Sequence, residues 1–246
     1  MKIVDFHNHL GEDVDGTVQT PAMLEARMEA AGVDLAVVFP FNEVDPGPCF
    51  SKANDRIATI VEERDDMVGF CRVDPNYGED AVAEVERAIE ELGLSGVKLH
   101  PRSQAFYPDD PEAVRVVEKA ADLGVPVIIH TARGEPFSDP VKIDPLAEEV
   151  PDAVIVMAHM GKVRGYDAAI SVAEDHENVY LETSLVRDPS VIERAADVVG
   201  DDRVVFGSDS PYGSPSAALE VVRAADVDHD LVLGGNALRI LGLKSP

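Results

Sequence analysis

Val125-Pro126-Val127-Ile128-Ile129-His130 follows Gly124, which closes the helical stretch Pro111–Leu123. An apolar run this continuous suits a strand buried on both faces, as in a parallel sheet. Asp110-Pro111 sets a capping side chain before a proline at the first helical position. Gly124 stands where a left-handed residue ends a helix. The segment therefore reads as helix, turn and buried strand, and it ends on a histidine.

The same unit recurs in both directions along the chain. Strands are expected at Ile3–His9, Leu35–Phe41, Met67–Val73, Gly96–His100, Val125–His130, Ala153–His159, Val179–Thr183 and Val204–Ser208. Helical periodicity fills Pro21–Ala31, Lys52–Glu63, Glu79–Leu92, Pro111–Leu123, Pro145–Glu149, Tyr166–Asp175, Pro189–Val199 and Pro215–Ala225. Thr20-Pro21, Asp188-Pro189 and Ser214-Pro215 repeat the start signal, and Gly32, Gly93 and Gly200 repeat the stop. Eight such units in 246 residues predict one α/β domain over residues 1–246, a TIM-type (β/α)8 barrel. An open doubly wound sheet competes, but no glycine-rich phosphate loop follows the first strand.

That first strand carries Asp5-Phe6-His7-Asn8-His9. Strict alternation puts Asp5, His7 and His9 on one face, near Ile3, with Val4 and Phe6 opposite. Imidazoles two residues apart lie about 6.6 Å apart along a strand, which suits two nitrogens converging on one ion beyond its end. Asp5, one pair back, is placed to orient an imidazole from behind. Two hydrogen-bonded core histidines are the alternative, an expensive arrangement on one face. Five of the seven histidines close a strand: His7, His9, His100, His130 and His159. Asp209 follows the eighth strand. In a barrel these ends meet at the C-terminal mouth, where such enzymes keep their active sites. His176 and His229 fall outside the pattern and read as surface residues.

Composition narrows the partners. Lys+Arg is 21 against 47 Asp+Glu, a formal charge of −26 that argues against nucleic acid and anionic membrane surfaces. Seven lysines among the basic residues, with acidic helix faces such as Glu84, Glu86, Glu90 and Glu91, suggest an acidic, halophilic surface. Cys49 and Cys71 are too few and too distant for a disulfide framework or thiolate metal site, and read as reduced thiols. Neither a membrane span nor a signal peptide is expected, which implies a cytoplasmic protein. Homo-oligomers are compatible with all of this.

Taken in order, several pieces resemble the amidohydrolase superfamily, specifically the amidohydrolase-2 group that includes the ACMSD-like decarboxylases. They are the His7-Asn8-His9 strand, Gly96-Val97-Lys98-Leu99-His100-Pro101, Pro126–His130, Ala158-His159-Met160-Gly161, Gly207-Ser208-Asp209-Ser210-Pro211 and Gly235–Leu243. The resemblance implies that His7, His9, His130 and Asp209 bind one divalent metal, zinc by preference. It places His159 beside the metal's open position, against a bound water. Nitrogen and oxygen donors with one open position fit a catalytic site better than a closed structural one. Lys98 and His100 share a strand face toward the barrel interior. A carbamylated Lys98 bridging a second metal is one reading of Lys98, and a lysine paired with a buried acid is the other. The loops are shorter than in many members, which weakens transfer of any specific reaction.

Four arginines follow strand ends, Arg102, Arg133, Arg164 and Arg187, and together suggest a rim for a carboxylate-bearing small substrate. Singly, each is better read as a partner of the abundant acids. Tyr107 and Glu182 occupy comparable positions. The main functional expectation is a hydrolase in which a metal-activated water attacks a carbonyl, with Asp209 or His159 taking the proton. The alternative is a non-oxidative decarboxylase on the same site, and a non-enzymatic metal-binding barrel is the third reading.

Overall fold

The computed structural model describes residues 2–243. Among the described residues ten strands are formed: β1 (Val4–Glu12), β2 (Val18–Gln19), β3 (Leu35–Pro40), β4 (Met67–Gly69), β5 (Cys71–Arg72), β6 (Val97–Leu99), β7 (Val127–His130), β8 (Ile155–Ala158), β9 (Val179–Glu182) and β10 (Val204–Val205). Leaving aside β2, a short antiparallel partner of β1, the neighbours run in sequence order and every pairing is parallel. The third barrel strand is divided at Phe70: β4 pairs back to β3, while β5 pairs forward to β6. At the other seam, Phe6 N–H donates to the Phe206 carbonyl and His9 N–H to that of Ser210. Asn8 and Ser210 form a parallel bridge there. Helices alternate with the strands outside, and the architecture is the TIM-type α/β barrel.

Local chemistry explains the outer helices. Helix α1 (Pro21–Ala31) is capped by Thr20, whose hydroxyl accepts from Met23 N–H, and ends on Gly32 at φ 74°. One expected cap differs. The Asp110 carboxylate accepts from Tyr107 N–H at 2.7 Å, preceding its helix without capping it. The strands pack two ways, as a sheet buried on both faces must. Ala36, Val38, Val97, Leu99, Val127 and Ile129 join the layer beneath the helices. Val37, Phe39, Phe70, Ile128, Val156 and Val205 form an inner cluster.

The first strand departs from strict alternation. Its register against β3 shifts by one residue between Asp5 and Asn8, a β-bulge. Val4 and Phe6 therefore join the inner cluster, while Ile3 packs in the outer layer. Above the bulge, His7 and His9 take over the inward positions. Asp5 is engaged elsewhere, and its carboxylate accepts from Ser208 N–H and Oγ–H at 2.9 and 2.6 Å, and from His7 N–H. The expectation that Asp5 backs an imidazole is thus corrected, because the extra residue changes the parity on which it rested.

Candidate active site

A cavity of roughly 510 Å³ opens at the C-terminal mouth, within the range that holds a small molecule. His7, His9, Lys98, His100, His130, His159 and Asp209 all line it. His7 Nε2 and His9 Nε2 each lie 3.2 Å from Asp209 Oδ1. These three buried donors fall within 4.8 Å of one another, as one ion's ligands would.

The supporting bonds decide which nitrogens are free to bind. His7 Nδ1 is 3.1 Å from Glu182 Oε2, so Glu182 holds the ring with Nε2 facing Asp209. That is the role assigned in the sequence to Asp5, and it falls to a residue expected to meet substrate. Glu182 also accepts from Ser184 Oγ–H at 2.7 Å and from His159 N–H at 3.2 Å. Gly207 leaves room for it, since a Cβ there would strike the Glu182 carboxylate. Burial raises the Glu182 pKa to about 7 and pushes His7 well below 6.5, so the imidazole stays neutral and the contact is a hydrogen bond rather than an ion pair. Asp209 behaves in the opposite way to Glu182: burial alone would raise it, but His7, His9 and Lys98 outweigh that and hold it at about 2. A divalent ion would bind the trio with Asp209 ionised and both imidazoles neutral, the directions in which these shifts run. His9 Nδ1 is buried without a hydrogen-bond partner among the described residues.

His130 stands apart from this trio. Its Nε2 lies 3.2 Å from Glu135 Oε2 and its Nδ1 lies 3.1 Å from His159 Nε2. The expected fourth ligand thus borders the donor cluster with both ring nitrogens engaged elsewhere. His159 Nδ1 lies 2.6 Å from Ser184 Oγ, and burial keeps the ring's pKa well below its usual value. His159 and Asp209 both adopt positive φ, 65° and 60°, a conformation non-glycine residues hold only when their surroundings enforce it. His100 stacks on His130 with centroids 4.0 Å apart. Lys98 is fully buried, with Nζ 3.3 Å from His7 Nε2 and 4.7 Å above the Phe39 ring. Burial lowers its pKa to about 7, against the pull of Asp209 and Glu182.

The arginine rim is largely corrected. Arg102 lines the cavity, with Nη1 3.2 Å from Glu135. Arg133 turns toward Asp139 at 3.8 Å, and neither it nor Arg164 nor Arg187 is among the residues lining the cavity. Tyr107 packs on Phe137 outside the lining. Two basic residues of the cavity were missed, Arg72 and Lys162. Lys162 bonds Glu135 at 2.9 Å, a pairing invisible in sequence. Arg72 carried a usable signal: it is a charge inside the apolar run Met67–Val73, two residues from inward-facing Phe70. His176 bonds Asp144 and His229 meets two carbonyls of its own neighbourhood, both away from the lining.

Comparison with known proteins adds a family to this geometry. A 2-amino-3-carboxymuconate-6-semialdehyde decarboxylase from Dictyostelium discoideum is 23% identical over 234 residues. The match covers 77% of this chain and 65% of that relative, less than two thirds of its length. The solved 5-carboxyvanillate decarboxylase from Sphingomonas paucimobilis has a TM-score of 0.77 at 19% identity, over 99% of both chains. A dihydroxybenzoic acid decarboxylase from Polaromonas, solved with bound manganese and the inhibitor 2-nitroresorcinol, gives 0.75 at 17% identity. That match covers 100% of this chain and 98% of the other. At such identities the structural likeness is one of fold. The family model described as Amidohydrolase matches residues 4–243, from the strand bearing His7 and His9 to the end of the described chain. The chain belongs to the amidohydrolase family.

Proposed function

We propose that the protein is a divalent-metal-dependent, non-oxidative decarboxylase of a small carboxylic acid, working in the cytoplasm. One observation carries the reading: Arg72, Lys98, Arg102 and Lys162 line the same cavity as the His7–His9–Asp209 trio in a chain of charge −26. Basic side chains gathered there, against Asp13 and Asp15 at the same mouth, fit an anionic substrate. The relatives named above are decarboxylases, which moves the balance away from the hydrolysis favoured by sequence alone.

His7, His9 and Asp209 would hold the ion, with His130 as the fourth ligand once one of its ring nitrogens leaves Glu135 or His159. Two or three imidazoles and a carboxylate, without thiolate, suit zinc and manganese alike. A bound divalent ion supplies positive charge that orients the acid and steadies the electron pair left on carbon. Loss of carbon dioxide breaks one C–C bond, leaves that pair on carbon and requires one proton in return. His159, fixed from behind by Ser184, would deliver it as an imidazolium that has taken up a solvent proton, returning afterwards to the neutral form that burial favours. Glu182 fixes His7 and, through Ser184, the His159 ring as well.

The test is a product screen on metal-loaded protein with hydroxybenzoates, unsaturated carboxylic acids, lactones and amides. Carbon dioxide with a product lacking one carboxyl group is the expected outcome. A new acid formed without carbon dioxide would replace this reading with a hydrolase, which the same trio also serves.

A further inference from the structure

His100 follows β6 and opens the short turn Pro101–Gln104, and it lines the cavity. The residue is held from three directions. Its Nδ1 accepts a hydrogen bond from the Ser103 N–H at 3.3 Å and so caps the turn. Its ring stacks on His130, with centroids 4.0 Å apart and planes 12° from parallel. Its own N–H donates to Gln104 Oε1 at 3.2 Å, and Gln104 Nε2 donates in turn to the Val73 carbonyl at 2.6 Å. Cap, stack and backbone together fix where the ring points.

The cap also decides where the proton sits. A backbone N–H always donates, so Nδ1 must offer a lone pair, and the ring's one proton is on Nε2. Nε2 has no hydrogen-bond partner among the described residues, and it is not sealed from the cavity as His9 Nδ1 is. The other strand-end histidines differ. Both ring nitrogens of His7, His130 and His159 have partners, and His9 turns its Nε2 to Asp209. Among these five described rings, His100 is the one that offers an N–H to the open space of the cavity. A nitrogen that carries a proton cannot ligate a metal ion, so the cap also keeps His100 out of the ligand set.

We infer that His100 is a specificity-determining residue that donates from Nε2–H to an oxygen acceptor of the bound substrate. The inference takes from the proposed function only that substrate enters this cavity, and it holds whichever bond is broken. An acceptor at that point meets a donor already in position, whereas a group that itself donates sets hydrogen against hydrogen. A site built around such a bond rejects analogues that lack the partner.

Two substitutions divide the ring between its nitrogens. His100→Asn keeps an acceptor for the Ser103 N–H and loses the donor. His100→Gln reaches the place of Nε2 with an amide N–H and loses the cap. Zinc-loaded protein is titrated calorimetrically with 2-hydroxybenzoate and 2-aminobenzoate, probes of similar size whose amino group is the poorer acceptor. Chelation of the metal also favours the hydroxyl, but equally in the wild type and both variants. The hydroxy-to-amino affinity ratio should fall about tenfold in His100→Asn, the worth of one hydrogen bond, and stay near the wild-type value in His100→Gln. Tm should move the other way, falling in His100→Gln and holding in His100→Asn, with metal content near one per chain throughout. Should His100→Gln fail to fold, a long-range proton–nitrogen spectrum of the wild type takes its place: Nδ1 of His100 must be proton-free, and Nε2 must shift as 2-hydroxybenzoate is added. A ratio that survives in His100→Asn overturns the proposal, as do affinities that follow Tm through the two variants, or a protonated Nδ1. The two readings fail separately. A ratio that falls in His100→Asn, in a protein releasing no carbon dioxide, keeps the donor and removes the decarboxylase. Carbon dioxide release with an unchanged ratio removes the donor and keeps the decarboxylase.

Discussion

The two sides of the mouth are built on opposite principles. Around His7, Asp209 and Glu182, donors and acceptors are matched within the protein: Glu182 holds His7 and Ser184, and Asp209 meets both imidazoles. Around Arg72 the groups are gathered but less fully matched, and two of its nitrogens have no partner among the described residues. The first side is arranged as the ligands of one ion would be. The second is a cavity wall whose unmet hydrogen bonds await something from outside. Substitutions should therefore act on metal content on one side and on substrate handling on the other.

The largest effect is expected where the matched side is broken outright. His7→Ala or Asp209→Asn should strip the metal and abolish activity together, because each removes one of three convergent ligands. Elemental analysis of chelator-free preparations checks this, with His176→Ala, bonded to Asp144 far from the mouth, as the control. Metal loss in the His176 variant would mean the histidines are wrongly divided between site and surface.

His159 lies on the boundary between the two sides. Its replacement by Ala should leave metal content nearly intact while activity falls roughly a hundredfold to ten-thousandfold, the usual range for a positioned proton donor or acceptor. Should metal be lost as readily as in His130→Ala, His159 is a ligand and the two-metal reading with Lys98 becomes the better one.

A smaller effect belongs to Glu182, which supports a ligand without being one. Glu182→Gln keeps the shape but weakens the hold on His7 Nδ1, so metal affinity should fall about tenfold to a hundredfold. Competition with a chelating dye measures it directly. An unchanged affinity would show that the trio holds its geometry without this support.

The same division governs what the sequence could reveal. Periodicity and helix punctuation suffice for the barrel, because buried parallel strands such as Val127-Ile128-Ile129 differ plainly from amphipathic helices. Strand-end histidines suffice to find the mouth. Side-chain partnership is another matter. The bulge between Asp5 and Asn8 reverses a face without changing composition, so Asp5 and Glu182 exchange expected roles. Arg133, Arg164 and Arg187 sit near strand ends in sequence yet leave the mouth, while Arg72, inside a strand, lines it. Proximity along the chain is a weak guide to direction, whereas a charge embedded in an apolar strand must face something.

A separate effect concerns pH, and it samples both sides at once in metal-free protein. Burial lowers the pKa of His7, His9, His100, His130 and His159, with His130 at about 4. Below pH 6.5 the unfolded chain takes up protons that the folded one refuses, so these histidines lose stability as pH falls from 6.5 toward 4. Asp5 and Glu182 act in the opposite sense. Each is raised to about 7 by burial, so the folded chain keeps protons the unfolded one releases, and stability declines as pH rises from about 4 to 7. Five groups oppose two, and the net stability should climb with pH between about 4.5 and 6.5, by roughly 1.4 kcal/mol per pH unit for each net proton. Denaturant melts of chelated protein should be run in molar potassium chloride, where the range of repulsion between surface charges shrinks to about 3 Å. If the −26 reflects a halophilic surface, the same salt should also raise stability at pH 7. A flat or inverted profile in the acid window would mean that the buried histidines take up protons inside the fold. The wall near Arg72 would then already be open to water before any ligand arrives.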